Sequence, residues 1–193
     1  MEALFVLFEP SRPGRRALLG VVCAIALCGC ASRTHGSAEA TQRSQIERYL
    51  TEVEPIRLAV NQLLGRADPI LGAFAARRID RAQAARRMDQ LERRFATYTV
   101  EIAAVSPAST QLRALNSGYA ETYVLEDAYL SALVAGLAGG NLDNLPHTEA
   151  TQRAAIIRWR THLTVLANAT GARLPADLQQ AGRGEIAPAP GGS

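Results

Sequence analysis

Lysine is absent from this chain: all 21 of its basic residues are arginine. Against 18 acidic residues they leave a net charge of +3 at pH 7, and three arginines against two glutamates in the first 29 residues supply part of that. The surplus is too small to read as a nucleic-acid-binding surface, which neutralises many phosphates at once. Cysteine is equally scarce. The three cysteines are Cys23, Cys28 and Cys30, and none follows. Beyond Cys30 the chain therefore has no disulfide framework, thiolate metal site or cysteine nucleophile. Also missing are a Gly-rich phosphate loop, a nucleophile elbow, an HExxH pair and the CxxCH of a c-type haem. A carboxylate-bridged di-metal bundle needs Glu-x-x-His on two helices, and that spacing does not occur. The histidines, His35, His147 and His162, are far apart in sequence and are expected at surface or capping positions. No cofactor is expected.

What the N-terminal part does contain is a run of three zones. Arg12, Arg15 and Arg16 supply positive charge, Ala17 to Leu27 an apolar core, and Leu27-Cys28-Gly29-Cys30 a small-residue ending. A secretory leader has this order, with an apolar region of roughly 7–15 residues. The run is shorter than the roughly 20 apolar residues that a membrane-crossing helix needs.

Leu27-Cys28-Gly29-Cys30 resembles the lipobox of bacterial lipoproteins, in which Leu, a small residue and Gly or Ala precede an invariant Cys. The resemblance covers this leader only. It implies that residues 1–29 are a signal peptide removed by processing, and that Cys30 becomes the lipidated N-terminus, carrying acyl groups such as palmitate. It also implies a place on the extracytoplasmic face of the cell membrane or the outer membrane. Export further disfavours nucleic acid as a partner.

Past Cys30 the sequence turns polar. Ser32 to Thr41 has small side chains and no apolar periodicity. Residues 30–41 are therefore expected to be a flexible tether, 42–182 the domain, and 183–193 a disordered low-complexity tail. Within the domain, apolar residues recur at spacings of three and four, the period of helices packed on one face. The first such stretch, about 41–65, aligns Ile46, Leu50, Val53, Arg57, Val60 and Leu64, with a kink expected upstream of Pro55. Asp68-Pro69 is expected to open a short helix reaching about Arg78. Next, Asp80 and Gln83 form a capping arrangement ahead of Ala84, Met88, Leu91, Phe95, Tyr98, Ile102 and Val105, a three-heptad seam.

A third helix is expected over about 109–138, ending at Gly139-Gly140, and a fourth from about Asn144–Pro146 to Gly171 with Ile156, Trp159, Leu163 and Leu166 inward. Leu174 to Ala181 suggests one more short helix. The fold expected is all-α: an antiparallel four-helix bundle with a short extra helix between the first two long helices.

Two groups of side chains stand out within that frame. Extending the third stripe by its own spacing places Glu126 on the core face near Tyr119 and Tyr123. Arg57, Arg158 or Arg160 are its expected partners, because an unpaired buried carboxylate is costly. With Trp159 these residues form the candidate pocket: Tyr119, Tyr123, Glu126 and Trp159. The second group is Arg86, Arg87, Arg93 and Arg94, which point away from the seam. They are expected to be a solvated face with pairs such as Asp89 and Arg93, though anionic headgroups or an acidic partner would also suit them. Taken together, the expectation is a non-enzymatic, lipid-anchored envelope protein displaying its bundle as an interaction or scaffolding module, with a possible protein partner in the envelope. The alternative is a lipoprotein holding a small molecule or metal in the tyrosine-lined pocket.

Overall fold

The computed structural model describes residues 31–179, with side chains from residue 36 onward. The expected signal peptide (1–29), the expected lipidation residue Cys30 and the expected tail (183–193) lie outside the described residues. Six helices follow in order: α1 Ala31–Leu64, α2 Ala67–Ala75, α3 Arg81–Ala104, α4 Thr110–Gly139, α5 Glu149–Thr170 and α6 Ala176–Gln179. No strand occurs among the described residues. The four long helices form a closed ring in which α1 packs on α3, α3 on α4, α4 on α5 and α5 back on α1. Neighbours run antiparallel. Ser131 of α4 meets Glu92 of α3 at one end and Asn116 meets Ile102 nearer the other. The fold is the all-α bundle expected, with α2 as the short helix between the first two long ones.

Local chemistry explains most boundaries. Asp80 accepts from the Gln83 backbone N–H at 2.7 Å while the Gln83 side chain accepts from the Asp80 N–H at 3.1 Å, the reciprocal cap that starts α3. Ser109 caps α4. Gly140 (φ 78°) and Gly171 (φ 69°) end α4 and α5 in the left-handed conformation that glycine adopts without strain. The stripes of α3 and α4 also sit inward as spaced. Met88, Leu91, Phe95 and Ile102 are buried on α3, and Leu112, Leu115, Leu130, Leu133 and Leu137 on α4.

Four boundaries differ from expectation. The stretch expected to be a tether is helical from Ala31, and its side chains from Gly36 to Ala40 are exposed. Nucleation is the costly step, so once the packed part of α1 is formed a segment holding Ala38, Glu39 and Ala40 extends it cheaply. Within those limits α1 runs through Pro55 as the single helix expected there. α2 starts earlier, with Arg66 at its cap and Asp68 in its first turn, and stops at Ala75 because Arg77 takes a left-handed φ of 57°. α5 begins only at Glu149, since the residue before a proline, here Leu145, is held out of helical geometry.

The reciprocal cap at the start of α3 gives a direct test. Asp80→Ala removes the side-chain acceptor and should lower stability by about 1 kcal/mol, read as a shift in the urea unfolding midpoint at unchanged slope.

Candidate functional site

Three interior polar side chains form one connected chain that reaches all four long helices. Trp159 of α5 donates its Nε1–H to the Tyr49 hydroxyl of α1 at 2.9 Å. Tyr49 donates in turn to Asn116 Oδ1 of α4 at 3.1 Å. The Asn116 amide then donates to the carbonyls of Ile102 and Val105, each at 3.1 Å, where α3 ends. These carbonyls belong to the last turn, whose acceptors have no partner within the helix. Asn116 is thus an interhelical C-cap as well as a bridge. Burial removes the Tyr49 side chain from water and pushes its pKa far above the ordinary phenol value, so it stays a neutral donor.

Tyr49 and Asn116 were missed by the sequence reading. Each lies beside a leucine that carried the stripe, Leu50 and Leu115, and each occupies the same inward arc at one residue's offset. The signal was there in the three-residue steps from Ile46 to Tyr49 and from Asn116 to Tyr119.

An aromatic wall stands next to this chain. Trp159 stacks on Tyr119 at 4.1 Å between ring centroids and 15° between planes. Tyr119 meets Tyr123 edge-on at 5.4 Å, and Tyr123 stacks on Phe95 at 5.8 Å. The Tyr119 and Tyr123 hydroxyls lie 3.4 Å apart. Burial raises the pKa of both.

The wall splits the expected pocket. Tyr119, Tyr123 and Glu126 line a cleft of about 110 Å³ with Val60, Gln152 and Ile156. Trp159 lines a different hollow, a groove of about 440 Å³ between α4 and α5, with Leu115, Gly118, Glu121, Arg158 and His162. Of the four residues, three share a cavity and the fourth faces the other side.

Glu126 also lacks the arginine partner expected for it. It is half-buried and accepts from Gln152 Nε2 at 2.9 Å. Desolvation raises its pKa above the usual carboxylate range, the Gln152 bond opposes this, and the nearby Glu149 charge adds to it. Arg57 is engaged elsewhere. Its buried guanidinium makes two bonds to Glu54, at 3.0 and 2.6 Å, and one to Asp177 of α6 at 2.6 Å. Burial works to lower the Arg57 pKa, but the two carboxylates outweigh it and hold the group firmly charged. A glutamate one turn away in the same helix reaches the guanidinium without crossing the bundle, which is why the cross-helix pair does not form. Arg158 is exposed on the far side of the aromatic wall.

Asp127, next along α4, has one carboxylate oxygen buried without a hydrogen-bond partner among the described residues. Burial, and secondarily Glu92, raise its pKa. On α3 the expected Asp89–Arg93 pair forms at 3.2 Å, and Arg86, Arg87 and Arg94 are exposed. His147 and His162 are exposed and separate, and no group of three His, Cys, Asp or Glu residues is placed to hold a metal among the described residues.

No family model, curated protein or solved structure matches this chain.

Two outcomes follow from the interior geometry. Tyr49→Phe leaves the Trp159 N–H without its acceptor and Asn116 Oδ1 without its donor. It should cost about 1–3 kcal/mol, measured by chemical unfolding. Glu126 binds its proton more tightly folded than unfolded, so its contribution favours the folded state in acid and is lost as pH rises from the ordinary carboxylate range through its raised native value. Glu126→Gln should therefore be the more stable protein at neutral pH, with the advantage shrinking toward acid. A pH series of unfolding free energies for both proteins checks the sign.

Proposed function

We propose that this chain is a lipid-anchored protein of the cell envelope that displays its helical bundle as a non-enzymatic interaction or scaffolding module. Residues 1–29 act as the signal peptide, and lipid on Cys30 holds the protein at the outer face of the cell membrane or to the outer membrane. Supporting the anchor is the order of arginines, apolar run and Leu27-Cys28-Gly29-Cys30 in the sequence. Helix α1 is described from Ala31, the residue next to Cys30. In this arrangement the membrane attachment is coupled directly to a helix of the bundle.

The observation that carries the module reading is how the interior uses its polar groups. Trp159, Tyr49 and Asn116 are turned toward one another and toward the end of α3. A binding pocket instead leaves a few polar groups converging on open space of roughly 300–1,000 Å³. The cleft at Tyr119, Tyr123 and Glu126, at about 110 Å³, is well below that range, which favours the interaction reading over a ligand held among the tyrosines. Arg57, the buried cation, is satisfied by two carboxylates, so it too acts as a fastening between helices.

The anchor is tested by Cys30→Ala. The variant should move from the membrane to the soluble fraction and show the electrophoretic mobility of a chain without acyl groups. Membrane retention with unchanged mobility would overturn the anchoring role of Cys30.

A further inference from the structure

Helix α2 contradicts the packing logic of the rest of the chain. Its sequence, ADPILGAFA, is largely apolar, yet no residue in it is fully buried. Ile70, Leu71 and Phe74 are half-covered, leaning on the core without entering it. Beside α2 lies an open groove of about 530 Å³ bounded by the end of α1 and the outer face of α3. Leu63, Ile70 and Leu91 contribute its apolar part, and Arg66, Arg87, Arg93 and Arg94 its charged part; Arg93 is paired with Asp89, which leaves Arg66, Arg87 and Arg94. No acidic residue lines it. None of these three arginines has a carboxylate within 4 Å among the described residues. Three arginines without carboxylate partners therefore surround a groove whose apolar lining is Leu63, Ile70 and Leu91.

We infer that this groove docks an acidic amphipathic segment of a partner protein, with apolar side chains against Ile70 and the exposed edges of the largely buried Leu63 and Leu91, and carboxylates on Arg66, Arg87 and Arg94. The inference rests on the interaction-module reading and names the face that performs it. Charge complementarity sets the sign of the partner. Geometry sets its extent: Arg87 and Arg94 are seven residues apart on one helix, about 10 Å along its axis. One anionic headgroup cannot span that distance, whereas carboxylates one and two turns apart on a helix match it. Arginine suits the task, since its planar fork holds a carboxylate through two bonds.

A lipid surface fits less well. The residues outermost on α2 are Asp68, Pro69, Gly72 and Ala75, while the large apolar side chains stay half-buried. A membrane-inserting helix presents its bulky apolar face outward. The groove also lies at the end of α1 away from Cys30, about 50 Å along the helix from Ala31. A partner seated there would be held at the far end of the bundle from the anchor.

The test titrates the purified full chain, in non-ionic detergent, against a labelled synthetic helical peptide of about five turns. Leucines occupy one face of the peptide and glutamates flank them, and binding is followed by fluorescence anisotropy. The expected result is saturable one-to-one binding that weakens at least about tenfold when lysines replace the glutamates. The Arg87→Ala/Arg94→Ala double variant should lose at least about tenfold in affinity, and Ile70→Ser should weaken it separately. The Arg153→Ala/Arg158→Ala variant, with the same charge change on α5, should bind as the parent does. Circular dichroism of each variant confirms unchanged helicity, the altered arginines all being exposed. Three results would each overturn the inference: no binding of the glutamate peptide, equal loss in both double variants, or arginine-dependent binding to phosphatidylglycerol vesicles in place of the peptide. Anchoring is read separately through Cys30→Ala, so failure of the groove and failure of the anchor give different signatures.

Discussion

The structure turns on the Tyr49 hydroxyl. It accepts from Trp159 and donates to Asn116, whose amide in turn closes the end of α3. One phenol therefore ties α1 to α5 directly and to α3 through α4. Leucine and alanine contacts tolerate sliding by a turn at modest cost, because apolar packing is non-directional. A hydrogen bond at 3 Å does not, and leaving a buried donor or acceptor open costs its full desolvation. The chain of three side chains thus fixes the register that the apolar stripes leave loose, a role best attested for single polar groups in helical cores.

Two features depend on that alignment. Trp159, held by its N–H, lies flat on Tyr119, and the stack continues through Tyr123 to Phe95 on α3. This wall separates the small cleft at Glu126 from the groove between α4 and α5. At the α1–α5 edge, Arg57 gathers Glu54 and Asp177 and so fastens the four-residue α6 to the bundle. Buried pairs of this kind add little net stability but are costly to break, because a charge is left without its counterion. They contribute by specifying which segment docks where.

The polar interior and the arginine-lined groove divide the work. Inside, polar side chains bond to one another and set geometry. Outside, around α2, cationic and half-covered apolar surface is left without a counterpart among the described residues. A short helix tethered between Gly65 and Asp80 cannot reach deeper into a core already filled by Leu63, Met88 and Leu91. Its exposure therefore follows from the ring closing without it.

Much of the architecture was legible in the sequence. Spacings of three and four located α3, α4 and α5, and the Asp80–Gln83 cap and the glycines at 140 and 171 marked limits of these helices, because such signals act within a few residues. The proposed leader from Arg15 to Cys30 rests on order and composition alone. Boundaries that rest on competition were not. The polar start of α1 could have been coil or helix, and the packed remainder of the helix decided it. Partner choice was least legible of all. Arg57 and Glu126 both lie on inward stripes, but of opposite helices in the ring; Glu54 lies nearer to one and Gln152 to the other, and periodicity says which face a side chain occupies but not what it meets there. By itself the sequence determined the helices and their inward faces, and it carries the lipobox resemblance on which the proposed anchor rests. Only the tertiary structure decided that Tyr49 and Asn116 join, that Trp159 turns its back on Glu126, and that α2 stays half-covered, because each depends on distances between residues far apart along the chain.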